Sequence, residues 1–147
     1  MEKMVEKFEK FFKEEEWKYK ITKKGKNKRI FEFGINLDDT IGSLRMFISL
    51  TKSDYVVIAV INNKATVKKR KVVAEYLHRA NYGIKCGNFE MDYNDGEIRY
   101  KTYVNFENTD ISQDVLRESI YVPIAMFKRY GDGLLQTMLT GVVAQVD

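Results

Sequence analysis

His78 and Cys86 are the single histidine and the single cysteine of the chain. An imidazole beside a thiol shares its proton and makes a nucleophile for acyl transfer. The helical period across residues 70–81 places His78 beside an apolar stripe, at the boundary with solvent. Asn81 and Gly83 then stop the helix, because both tolerate positive φ. Cys86 lies beyond that stop, so the pair reads as a surface histidine and a half-buried thiol. Zinc takes about four Cys, His or carboxylate ligands, and no such spacing exists here.

Asp92, Asp95 and Glu97 crowd around Gly96. Carboxylates around a glycine are a calcium-loop feature. With Gly96 as sixth residue of the loop, the first position is Met91, the third Tyr93 and the twelfth Thr102, so the ligand pattern fails. "GDGLLQ", starting at Gly131, imitates a dinucleotide fingerprint, but it lacks the third glycine and sits inside a helical period. No P-loop, nucleophile elbow or His-Glu-x-x-His is present. These residues predict no catalytic group, no metal and no cofactor.

Two basic clusters remain. "KKGKNKR" spans residues 23–29, and Lys68, Lys69, Arg70 and Lys71 follow one another. Side by side they would hold phosphates, so a nucleic-acid-binding regulator is the alternative reading. It is not favoured. The first cluster reads as a hairpin tip, and neither is interleaved with the aromatic residues that stack single-stranded bases.

Elements must position all of these residues. Met4, Val5, Phe8, Phe11 and Phe12 recur at helical spacing over residues 2–15, with Glu and Lys opposite. Trp17, Tyr19 and Ile21 alternate as a short strand. Phe31, Phe33, Ile35 and Leu37 share one face of a second strand, and Leu44, Met46, Ile48 and Leu50 one face of a third. "YVVIAVI", from Tyr55, is apolar on both faces, which predicts a central strand. A helix opening near Thr66 carries Val72, Val73, Tyr76, Leu77 and Ala80 on its apolar side. The C-terminal region has a helical period from Leu116 to Leu139, which Pro123 and the pair Gly131/Gly133 are expected to kink or divide.

Between the second and last helices lies a hairpin. Asp95-Gly96 suits a two-residue turn. That turn predicts a register with Tyr93 opposite Ile98, Met91 opposite Tyr100, Asp92 opposite Arg99 and Glu90 opposite Lys101. The carboxylates would then face cations across the ladder.

These elements predict one α+β domain across 1–147. Its single antiparallel sheet has five to six strands, with three helices on one face, in the order α-β(3-4)-α-β-β-α. Charge balance is mild, with 25 basic against 21 acidic residues. No apolar run approaches the ~20 residues that span a bilayer, and no signal-peptide pattern opens the chain. The expected location is the cytosol, with no membrane partner.

Within "EYLHRANYGIKCGNFEMDYNDGEIRY", a helix ends in Tyr76, Leu77, Arg79 and Asn81. Gly87, Phe89 and Asp92 follow, then Asp95, Gly96, Glu97 and Ile98. This segment resembles the central part of the YbjN family. The resemblance implies a fold like that of type III secretion chaperones, with five core strands, and a label of sensory-transduction regulator. It brings no catalytic residues. It favours a non-catalytic protein-binding or chaperone-like module whose partner is a client protein or a second copy. Met4, Val5, Phe8, Phe11 and Phe12 are the expected partner interface. An enzyme of unrecognised type is the remaining reading.

Overall fold

The strand alternation resolves into one sheet. A computed structural model describes residues 1–146. Along the chain run α1 (Glu2–Glu15), β1 (Lys20–Lys23), β2 (Arg29–Asp38), β3 (Gly42–Leu50) and β4 (Asp54–Ile61). A 3-10 turn (Val67–Lys69), α2 (Arg70–Asn81), β5 (Asn88–Met91), β6 (Ile98–Asn105) and α3 (Gln113–Thr140) follow. The sheet has six strands in the order β1-β2-β3-β4-β6-β5, and every neighbouring pair is antiparallel. The α+β class and the single antiparallel sheet agree with the reading of the sequence. The segment after Trp17 joins as an edge strand, and β4 is central.

Strand periodicity puts alternate side chains on opposite faces. On the inner face the register aligns Phe31, Ile48, Val57 and Thr102 in one cross-strand row. Phe33, Met46, Ala59, Tyr100 and Phe89 form the next. All of these side chains are buried. From α1, Phe8 meets Tyr55 with ring centroids 4.9 Å apart, and Phe12 meets Phe33 at 4.9 Å. The expectation that Met4, Val5, Phe8, Phe11 and Phe12 form a partner interface is therefore corrected. The three phenylalanines are 0% exposed, and Met4 and Val5 are buried with them. The chain's own sheet, with Trp17 and Tyr121 of α3 over Phe11, covers that stripe, and covering a large apolar side chain stabilises by about 1.5–3 kcal/mol.

α3 is continuous over 28 residues and is not divided at Pro123. Proline has no N–H, so the carbonyl four residues back, that of Ser119, loses its helical partner. Thr102 Oγ1 donates to that carbonyl at 2.7 Å from the sheet below. Ser119 Oγ donates to the Leu116 carbonyl at 2.7 Å and lies 2.7 Å from the Tyr55 hydroxyl. The two glycines allow close approach, not a bend. A Cβ on Gly131 would stand 2.7 Å from Ile41 Cγ1, and one on Gly133 would stand 2.3 Å from the Tyr76 hydroxyl.

The predicted hairpin forms, but its register differs by two residues. Phe89 pairs with Tyr100, Glu90 with Arg99 and Met91 with Ile98. The Asp92 N–H bonds the Glu97 carbonyl at 2.9 Å, which leaves a four-residue loop, 93–96. Tertiary docking explains the difference. The Gly96 carbonyl accepts from Ala65 N–H at 2.9 Å, and a Cβ there would lie 2.0 Å from the Ala65 oxygen. Arg70 ties the Ala65 and Tyr93 carbonyls together at 3.1 and 3.0 Å. Asp92 and Asp95 turn their carboxylates to the loop N–H groups of Asn94 and Glu97, at 2.8 and 2.9 Å. In this register Asp92 stands opposite Glu97, and its carboxylate is turned into the loop by the bond to Asn94.

Thr102→Val leaves the Ser119 carbonyl unsatisfied and should cost about 1–3 kcal/mol in denaturant unfolding. In a Pro123→Ala background the helix supplies the missing N–H, so the same substitution should cost less. Equal costs in both backgrounds would contradict the assignment.

Candidate functional site

The residues singled out for chemistry do not converge. His78 is exposed on α2. Cys86 is half-buried past the helix end, and burial pushes its thiol up, away from the reactive thiolate. Among the described residues, no group of three or more His, Cys, Asp or Glu side chains could hold a metal. His78 does line a groove of about 660 Å³, with Glu75, Arg79, Tyr82 and residues 143–146. Glu75 and Arg79 there are spent on each other at 3.2 Å.

The basic clusters lie at opposite ends of the strands. Arg29 pairs with Leu50, which pairs with Tyr55 near the start of β4. Lys68, Lys69, Arg70 and Lys71 follow the other end of β4. Arg70 is held by the two loop carbonyls, and Lys69 donates to the Leu139 carbonyl at 3.3 Å. Lys68 and Lys71 alone are exposed.

The segment that resembles the YbjN family has structural duties instead. The Asn81 amide donates to the Phe89 carbonyl at 3.0 Å and accepts from the Phe89 N–H at 2.7 Å. It thereby imitates a strand neighbour and closes edge strand β5 against further pairing. Tyr76 donates to the Tyr130 carbonyl at 3.0 Å and joins α2 to α3. Gly87, at φ +74°, lets the chain pass against the Lys101 carbonyl. Phe89 and Ile98 are core residues, and Gly96 seats the loop.

What the fold leaves open is the outer face of the sheet. One cross-strand row there reads Thr22, Ile30, Ser49, Val56, Tyr103. The next reads Lys20, Glu32, Phe47, Ile58, Lys101, Asn88, and a third reads Gly34, Arg45, Val60, Arg99, Glu90. Apolar residues thus gather on β4, with Phe47 beside them on β3 and Ile30 on β2, and charges flank them. Ile30, Phe47, Val56 and Ile58 are half-buried, while Val60 is screened between Arg45 and Arg99. The Arg45 guanidinium lies 5.9 Å from the Phe47 ring centroid. Burial raises the Glu90 carboxyl, but hydrogen bonds and charge from Lys101 and Arg99, at 3.0 and 2.8 Å, outweigh it and hold the group below its ordinary value. Sequence reasoning missed this surface. Its signals were the second apolar face of β4 and the out-of-phase Ile30 and Phe47.

No family model and no curated protein matches the chain. Among solved structures, it is similar to an uncharacterized protein from Methanothermobacter thermautotrophicus. The TM-score is 0.55 over 91% of this chain and 95% of that one, at 11% identity. That likeness extends the fold to a second sequence.

Asn81→Ala removes both bonds to Phe89 and should lower stability by about 1–3 kcal/mol in chemical unfolding. Hydrogen exchange should accelerate at Phe89 while the outer-face strands β3 and β4 keep their protection. Unchanged exchange at Phe89 would contradict this role.

Proposed function

We propose that the chain is a non-catalytic binding module that docks a protein partner on the outer face of its sheet. The carrying observation is the asymmetry of that sheet. The inner face holds the core beneath the helices, and the outer face keeps apolar side chains at its centre. Polar outer positions are the ordinary solution for a solvated antiparallel face. Phe47, Val56 and Ile58 depart from it in adjacent strands. Removing such area from water on docking is worth about 25 cal/mol per Å². The flanking Lys20, Arg45, Arg99 and Lys101 against Glu32 and Glu90 add a polar rim of mixed sign, as recognition surfaces have. The resemblance of residues 76–98 to the YbjN family supports a regulatory or chaperone-like role of this kind. The separation of the basic clusters weighs against the nucleic-acid reading, and the lack of a convergent polar constellation weighs against an enzyme.

The test is site-specific photo-cross-linking in the native host, with p-benzoylphenylalanine placed at Phe47 and, as control, at Lys13 on the exposed side of α1. A discrete protein adduct from position 47 alone is expected. No adduct from position 47, or the same adducts from both positions, would contradict the proposal.

A further inference from the structure

We infer that the occupant of this face is a second copy of the chain, packed sheet on sheet about a two-fold axis parallel to the strands and midway between β3 and β4. This rests on reading the outer face as a protein-docking surface.

The pattern of charge selects both partner and axis. Two sheets meeting face to face are related by a two-fold axis lying in the plane between them. An axis along the strands exchanges β3 with β4, β2 with β6 and β1 with β5, since the six-stranded order is divided evenly at β3/β4. Phe47 then faces Ile58 of the second copy, Ile30 faces Tyr103, and Glu32 faces Lys101. Each of these contacts is made twice. An axis across the strands that runs along this row would instead set Glu32 on Glu32 and Lys101 on Lys101, which is repulsive. In that row the strand-parallel axis therefore pairs opposite charges, and in the rows on either side it sets Val56 against Ser49 and Val60 against Arg45 of the second copy.

Two further observations agree. Glu32 is exposed and, among the described residues, has no ion-pair partner, although it lies beside Lys20 in the register. Lys101 already holds Glu90 at 3.0 Å, and its ammonium retains donors for a second carboxylate. Gly34 sits in mid-strand on this face, and its own chain does not require a glycine there. Its φ lies outside the left-handed region, and a Cβ would meet only the Leu44 carbonyl at an ordinary 3.8 Å. A strand glycine is unfavourable unless something approaches closely. Under the strand-parallel axis the group opposite Gly34 is Arg99 of the second copy, whose guanidinium needs that space.

The size fits. Six strands ~4.8 Å apart, the inner four ~27 Å long and the edge strands about half that, give a plan area of roughly 600–700 Å² per copy. Side-chain relief raises the accessible area above that figure, toward the ~800 Å² per partner of a standard stable interface.

The test combines sedimentation equilibrium with native mass spectrometry. The wild-type chain should sediment as a dimer. Glu32→Lys and Lys101→Glu should each weaken self-association about tenfold. Mixed one to one, these two variants should form a heterodimer in preference to either homodimer, because only the mixture restores opposite charges at both contacts. Gly34→Thr should leave thermal unfolding of the dilute monomer unchanged or improved while weakening the dimer. It keeps the test open should Lys101→Glu fail to fold. A wild-type chain that stays monomeric to ~100 μM, well above the micromolar range of stable dimers, would overturn the inference, as would a dimer indifferent to these charges. A foreign protein cross-linked at position 47 on a monomeric chain would overturn it too, while leaving the docking surface itself in place.

Discussion

Pro123 cannot donate a hydrogen bond, and the carbonyl it leaves free ties the longest helix to the sheet. Ser119 offers that carbonyl to Thr102 on β6, and its hydroxyl meets Tyr55 on β4. Burial pushes the Tyr55 hydroxyl up to about 12, although the Ser119 bond pulls the other way, so it remains a neutral hydrogen-bonding group. A fully satisfied buried polar cluster specifies position more sharply than apolar packing does, because misalignment leaves each member unpaired. With α3 fixed over β4 and β6, Gly131 and Gly133 bring it against Ile41 and Tyr76, and Tyr76 joins α2 to it. α1 fills the remaining inner surface with Phe8, Phe11 and Phe12, and Glu15 reaches α3 through Tyr121 at 2.7 Å and through Arg117.

Concentrating the helices on one side has a consequence for the other. A six-stranded sheet has two faces, and this chain spends its large apolar side chains on one. The outer face then carries a smaller apolar centre, within reach of solvent, inside a frame of charge. The segment with the family resemblance lends Glu90 and Arg99 to that frame, and its other residues are structural. Asn81, Gly87 and Gly96 shape and close the β5 edge, so lateral strand addition is discouraged there and the broad face remains the available surface.

Much of this was legible in the sequence. Periodicity located the three helices, and a two-sided apolar run placed β4 in the middle. The rest depended on contacts between distant segments. Asp95-Gly96 announces a turn, but the register was decided by Ala65 and Arg70, which local pairing rules do not see. Gly131 and Gly133 look like helix breakers because propensity is a local quantity, whereas Ile41 and Tyr76 supply the reason they are there. The phenylalanines of α1 form an apolar stripe whichever surface covers it. Periodicity identifies such a stripe without naming its cover. The outer-face residues escaped notice for the same reason: Phe47 and Ile58 become neighbours only once β3 and β4 are in register.

The most direct measurement is a methyl NMR dilution series on isoleucine- and valine-labelled chain. Ile48, Val57 and Ile61 report the inner face, and Ile30, Val56 and Ile58 the outer one. Raising the concentration is expected to shift or broaden the outer methyl signals while the inner ones hold still. It would be contradicted if no signal moved. It would equally be contradicted if the changes fell on the exposed Val67 and Val142 near the ends of α2 and α3.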